Sequence, residues 1–311
     1  MSDSTIKIPA KYVVPFNMNG LKGRMLRMPP PKGKKRETLL IYGHHSSLER
    51  LYSLAQVVND DAGVTMPDLP GFGGMDSFYT IGEKPDIDTM ADYLASVVKL
   101  RYRGQRFSII GISYGFTVAT RMLERYPDIA TKADLLISVV GFAHKDDIVF
   151  SRARYLFYRY TASFFSHKIT AAFFHNFVLH PSVLRTFYSR THNAKHKFKG
   201  LSETERRQLT EFEIQLWRIN EVRTYMSTTI SMLTLNNCLG KVNMPVWHIY
   251  VKNDNYFDND SVERHMRLIY TDYKPLAAPI QHHMPNVIAG KEEAVHLVPK
   301  KIRQLLRAAP K

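Results

Sequence analysis

The stretch RFSIIGISYGFTVATRML, Arg106 to Leu123, decides the fold. Its first part, Phe107–Ile112, is short, apolar and rich in β-branched residues, as a buried strand is. Its second part sets Phe116, Ala119, Met122/Leu123 and Tyr126 at helical spacing, and Pro127 ends that helix. Between them lies Gly111-Ile112-Ser113-Tyr114-Gly115. A strand that turns directly into a helix leaves little room beside the turning residue, which explains glycines on both sides. A serine on such a turn projects its hydroxyl above the sheet edge. The helix N-terminus behind it adds positive potential where an oxyanion forms. The competing explanation is packing alone, with small residues letting the helix fall back on the sheet.

Working outward, the same alternation continues. Thr38–Tyr42 reads as a buried strand broken by Gly43-His44-His45. Ser46-x-x-Glu49 resembles a capping box for a helix with Leu48, Leu51, Leu54/Ala55 and Val58 on one face. Val64–Met66 is a short strand, followed by the turn-rich Pro67–Gly74. Asp86–Asp88 caps a helix through Met90, Leu94 and Val97, and Leu135–Val140 is another apolar strand. Apolar strands alternating with helices predict a parallel sheet covered on both faces. From about His144 to Asn243 the alternation lapses into a helical, aromatic, basic segment. It resumes with a strand at Pro245–Val251, a helix near Ser261–Tyr270, a short strand near Leu276–Gln281 and a last helix from Pro299. A helical block between two strands of such a sheet reads as an inserted cap.

The bulk properties agree with one large domain carrying an insertion: 311 residues, 44% hydrophobic, without low-complexity tracts. No apolar run approaches the roughly 18 residues that span a bilayer. The opening MSDSTIKIPAKYVV lacks an apolar core before a small-residue cleavage site, so no signal peptide is expected. The single cysteine, Cys238, cannot form an internal disulfide and suits a cytoplasmic location. The net charge of +15 favours anionic neighbours. It gathers in the arm from Lys7 to Arg36, which ends in Lys32-Gly33-Lys34-Lys35-Arg36, between Arg152 and Arg223, and at the C-terminal Lys300, Lys301, Arg303, Arg307 and Lys311. Solvated basic faces are the plain alternative, and no nucleic-acid-binding module is recognisable.

Serine is a weak nucleophile at its own pKa, so it needs a base, and the base needs an acid to orient it. Asp254 follows the strand Val246–Val251 at its C-terminal end, where open α/β sheets place working groups. Asp258 is the second choice, and equally suits a helix cap. His282-His283 comes after the last predicted strand; His283 is preferred as base, with His282 as the alternative. The main-chain N–H groups of Tyr114 and of His44, just past Gly43, suit an oxyanion hole. His44 and His45 lack a third ligand at fixed spacing, so neither a metal nor another cofactor is expected.

Together these motifs resemble the α/β-hydrolase fold superfamily. The resemblance rests on Leu39–Gly43, Asp68-Leu69-Pro70-Gly71-Phe72-Gly73, the Gly111–Gly115 elbow with Tyr126-Pro127, Asn253-Asp254 and His283-Met284-Pro285. It implies an eight-stranded, mostly parallel sheet flanked by helices, with a helical cap after the sixth strand. The expected division is a basic arm and first strands at 1–37, core at 38–144, cap at 145–242 and core at 243–311. It implies a triad of Ser113, Asp254 and His283. Tyr42 departs from the family pattern, in which His precedes that glycine, and the doubled histidine leaves the base open by one residue. Serine rather than aspartate at the elbow argues against the epoxide hydrolase and haloalkane dehalogenase branches.

The expected activity is hydrolysis of a carboxylic ester, of a small acyl or lipid-like group, through an acyl-enzyme. The alternatives are a proline-iminopeptidase-like peptidase, a meta-cleavage-type carbon–carbon bond hydrolase, and a catalytically silent protein binding through its basic lid. A peptidase needs carboxylates for the substrate amine, and Glu203, Glu205, Glu211, Glu213 and Glu221 are the candidates. Arg152, Arg154 and Arg159 alternate with Tyr155–Tyr158 as in a basic surface helix with an apolar face. Such a helix suits an anionic membrane surface, with the protein peripheral to it.

Overall fold

The computed structural model describes residues 8–190, 202–278 and 290–308. The chain begins with a hairpin, β1 (Val13–Met18) and β2 (Leu21–Met28). Its turn, Asn19-Gly20, takes positive φ at both residues, the twist that two-residue hairpin loops need. Then follow β3 (Glu37–Ile41), α1 (Leu48–Asn59), β4 (Gly63–Pro67), α2 (Ile87–Arg101), β5 (Phe107–Ile112), α3 (Tyr114–Arg125), α4 (Pro127–Ala130) and β6 (Ala133–Val139). Five helices come next: α5 (Arg152–Phe165), α6 (Lys168–Phe173), α7 (Pro181–Arg190), α8 (Glu203–Ile219) and α9 (Val222–Leu233). A π-helical turn at Phe174–Val178 extends α6. The chain closes with β7 (Val242–Tyr250), α10 (Asn259–Ile269), β8 (Tyr270–Ala277), α11 (Lys291–Leu297) and α12 (Lys300–Arg307).

The strands form one eight-stranded sheet in the order β1-β2-β4-β3-β5-β6-β7-β8. From β4 to β8 every pair is parallel; β2 joins β1 and β4 antiparallel. The mostly parallel, eight-stranded sheet flanked by helices is therefore as the sequence implies. The central strands β4 and β5 are buried along their whole length, because helices cover both faces. This is why they read as apolar runs in which Thr65 and Ser108, both buried, are the polar side chains.

The helices between β6 and β7 have a second, smaller core of their own. Ala162, Ala171, Leu179, Leu184, Ile214 and Met226 form it, apart from the sheet core. Polar contacts root this group at the turn after β4. Glu221 N–H donates to Gly71 O at 2.8 Å, and Gly73 N–H to Asn220 Oδ1 at 2.9 Å. Ser77 Oγ lies 2.7 Å from Thr224 Oγ1, and Tyr79 Oη 2.8 Å from Ser227 Oγ. No helix among the described residues is long and apolar enough to cross a membrane.

Some local expectations shift. The N-cap of α1 is Ser47, with no side-chain hydrogen bond into the helix, so Ser46 and Glu49 do not form a capping box. Asp86 does form one, with Thr89. Helix α10 ends at Ile269 and the last strand starts at Tyr270, six residues before the predicted start. Parts of the basic runs are structural: buried Arg36 bonds to Asp134 and Ser108, and Arg303 and Arg307 pair with Asp61.

Candidate active site

Ser113 stands between β5 and α3 with φ +49° and ψ −118°. A non-glycine residue there is strained, and such strain persists only where neighbours over-determine it. Three contacts do so. Ser113 N–H donates to Val139 O of β6 at 2.8 Å, and its own carbonyl accepts from Phe116 and Thr117 N–H. Gly111 lies so close to α3 that a Cβ would fall 2.4 Å from Phe116 Cα. A Cβ on Gly115 would fall 2.3 Å from Tyr42 O and 2.5 Å from Ile41 O. Both glycines are thus required by close approach of backbone, and the serine absorbs the turn.

Gly43, after β3, faces this turn: a Cβ there would sit 3.3 Å from Ser113 Cβ. The next residue, His44, lines the same cavity as Ser113. Neither the His44 nor the Tyr114 N–H donates to a backbone or side-chain acceptor among the described residues. The His44 ring is held elsewhere, with Nε2 2.8 Å from Thr228 Oγ1 and 3.3 Å from Tyr225 O. Since a carbonyl only accepts, Nε2 carries the proton. Burial lowers the His44 pKa to about 4, so the ring is neutral at pH 7. The His45 ring stacks on Trp217 instead, with centroids 3.9 Å apart. Tyr42, at the position that departs from the family pattern, ties this loop down. Its hydroxyl donates to Asp68 Oδ1 at 3.0 Å and accepts from Leu69 N–H at 2.6 Å.

Gly43, His44 and Ser113 line a cavity of about 510 Å³. Its walls include Phe142, Met232 and Leu233, and its exposed rim includes Arg154, Tyr158 and Tyr256. No aspartate or glutamate is among the described residues that line it. Arg154 is exposed, its guanidinium 4.7 Å from the Phe150 ring centroid.

Asp254 lies four residues past β7, in the turn that supplies Asn255, Tyr256 and Phe257 to the cavity. Its Oδ1 accepts from the N–H of Tyr256 at 2.8 Å and of Phe257 at 3.3 Å. That turn is joined to the lead into α5. Val149 N–H donates to Tyr256 O at 2.8 Å, and Ile148 bridges Phe257. Asp258, the second choice, caps α10 by accepting from Ser261 N–H at 2.7 Å. The structure thus brings Ser113, His44 and the turn that follows Asp254 to one cavity, while neither Asp254 itself nor Tyr114, buried directly after Ser113, is among its lining residues. His282 and His283 lie outside the described residues.

One acid–base pair carries no signature in the sequence. Asp147, fully buried after β6, accepts from the N–H of Ala143 and of His144, both at 2.9 Å. Its Oδ1 lies 2.5 Å from His265 Nδ1, on α10. The partners are 118 residues apart and share no motif, so no spacing could reveal them. Neither lines the cavity, and the pair fastens the β6 loop to α10. Four of the five glutamates that could bind an amine are engaged elsewhere. Glu205 closes a capping box, Glu211 pairs with Arg185, Glu213 pairs with Arg50 and Glu221 caps α9.

No protein-family model matches the sequence, and no curated protein matches it either. Solved structures do match. A thermophilic esterase from Thermogutta terrifontis superposes with a TM-score of 0.60, covering 95% of this chain and 98% of its own, at 16% identity. The N-formylmaleamic acid deformylase of Pseudomonas putida S16 gives 0.64 over 91% and 99%, at 14% identity. A membrane phospholipase A described as a bacterial virulence factor gives 0.63 over 96% and 87%, at 16% identity. At these identities the likeness is one of fold.

Proposed function

We propose that this chain, which has the α/β-hydrolase fold, is a serine hydrolase that cleaves carboxylic esters. The observation that carries the reading is the strained Ser113, at φ +49° on a strand-to-helix turn, lining a largely apolar cavity. In this reading His283 takes the Ser113 proton as Oγ attacks the ester carbonyl. The N–H groups of His44 and Tyr114, which have no acceptor among the described residues, hold the oxyanion. The proton passes to the leaving alcohol, and the acyl group stays on Ser113. Water then attacks that acyl-enzyme, with His283 taking its proton and returning it to Ser113. Asp254 keeps the imidazole in the required tautomer. The helices α5–α9 serve as the cap, and the apolar walls from Phe142, Met232 and Leu233 receive the acyl chain.

The cavity lining favours an ester over a peptide substrate, because no lining carboxylate is present among the described residues to hold an amine. Arg154 at the rim supports a second reading, a substrate carrying an anionic group, as in a carbon–carbon bond hydrolase acting on a carboxylate.

Labelling with a fluorophosphonate probe tests the nucleophile. Wild type is expected to label, and Ser113→Ala and His283→Ala are expected not to. Labelling that survives in His283→Ala and vanishes in His282→Ala moves the base by one residue. A folded wild type that does not label removes the hydrolase reading. A p-nitrophenyl ester series then sets the acyl length, with turnover expected to fall at least tenfold once the chain outgrows the cavity (roughly 1.4 kcal/mol).

A further inference from the structure

From Ile148 to Ser202 the sequence has no aspartate or glutamate, nine lysines and arginines, and thirteen aromatic residues. The fold turns many of those aromatic residues outward. On α5, Phe157, Tyr160 and Phe164 follow helical spacing and are 64%, 70% and 58% exposed. On α6, Ile169 is 84% exposed and Phe173 54%, and Phe187 on α7 is exposed as well. The opposite faces of these helices are already used: Phe165 and Phe174 pack on the small core with Ala162 and Ala171. Helices apolar on both faces require an apolar layer on each.

Charge identifies the second layer. Arg152 and Arg159 lie seven residues apart with Leu156 between them, a stripe beside Phe157 and Phe164. Lys168 opens α6. None of these three pairs with a carboxylate among the described residues, whereas Arg36, Arg303 and Arg307 do so elsewhere. The unneutralised positive charge therefore lies beside the exposed aromatic residues. A second copy of this chain would set like charges against each other. Nucleic acid would meet the cations but offers no apolar layer for Phe157 or Ile169. An anionic bilayer surface supplies both: headgroups for the cations, and the headgroup–acyl boundary for the aromatic and aliphatic side chains.

We propose that the outer face of α5, α6 and α7 docks on anionic lipid membranes. The docking stands on its own. If Ser113 is also the nucleophile of an ester hydrolase, the docked helix adjoins the cavity entrance, since Arg154 and Tyr158 of α5 line it. A lipid ester would then pass from bilayer to serine without crossing open water; this last clause alone rests on the proposed activity.

Co-sedimentation with vesicles tests the proposal, comparing phosphatidylcholine alone with phosphatidylcholine mixed with phosphatidylglycerol. Wild type is expected to bind the mixed vesicles and to release as salt rises. Ser113→Ala is expected to bind equally, which separates docking from activity. A variant carrying Arg152→Gln, Arg159→Gln and Lys168→Gln is expected to bind roughly a hundredfold more weakly, at about fivefold per cation. A variant carrying Phe157→Ser, Phe164→Ser and Phe173→Ser is expected to lose binding while keeping the wild-type thermal midpoint. No preference for the mixed vesicles overturns the proposal. Full binding by the serine variant overturns it too, since adsorption would then be by charge alone. A wild-type dimer that the serine variant dissolves, without vesicle binding, assigns the face to a second copy instead.

Discussion

Ser113 can hold φ +49° because its neighbours give it nowhere else to go. Gly115 is the sharpest of these constraints, since the atoms it faces are carbonyl oxygens of β3 and its extension, Ile41 and Tyr42, rather than a side chain that can move. Gly115→Ala is therefore expected to cost about 1–3 kcal/mol, because backbone must shift to admit the methyl group. A lower urea midpoint at unchanged slope measures it. The shift also falls on the strand end that leads to Gly43 and His44, so probe labelling of Ser113 is expected to slow. Gly74→Ala is the contrast: no atom lies within 4 Å of its Cβ position, and the effect is confined to its positive φ, about 1 kcal/mol.

Among elements, the contact between α1 and α8 is the one whose breakage is most informative. Arg50 Nη2 bonds to Glu213 Oε1, and the Glu213 side chain is almost entirely buried. Arg50→Ala removes this cation from a buried carboxylate and is expected to destabilise by about 3 kcal/mol, whereas Arg50→Met with Glu213→Leu is expected to lose much less. A double-mutant cycle by urea unfolding reads the coupling. The elements themselves were unequally visible in the sequence. β5 and α3 were plain because the apolar period switches from strand to helix across two glycines. β4 is buried on both faces and is apolar except for its buried Thr65. The first strands are expected within 1–37 but not located there, because LKGRMLRM alternates poorly, its strand lying near the sheet edge with Lys22 and Arg27 exposed. β8 was misplaced because it is an edge strand, and exposed Thr271 and Asp272 break its apolar signal while the helical pattern of α10 runs on to Tyr270. The Ser113, His44, Tyr114 and Asp254 positions follow from local turns at strand ends. The Asp147–His265 pair depends on tertiary placement alone.

At the scale of the whole molecule, buried imidazoles set an acid limit. His248 of β7 is buried with Nδ1 2.9 Å from Ser138 Oγ of β6, and burial lowers its pKa to about 3. An unfolded chain takes that proton near pH 6.5, so it binds more protons than the folded chain between about 6.5 and 3. The neutral ring's contribution is whole above pH 6.5 and is lost as pH falls through that window. Comparing wild type with His248→Gln isolates it: the stability difference is expected to change by a few kcal/mol between pH 7 and pH 4, read as urea midpoints. The joins around the cavity fix something else about the molecule, namely how its walls are held together. Ile148 and Val149 are fastened to the Asp254 turn, and α9 is rooted through Thr224 and Ser227 to Ser77 and Tyr79. α5 is in turn bound along α9, with Tyr155 Oη donating to Leu233 O at 3.2 Å, so the wall that α5 supplies is held at both ends. The entrance is braced as a frame is: a pull on the outer aromatic face is shared between the turn after β7 and the turn after β4.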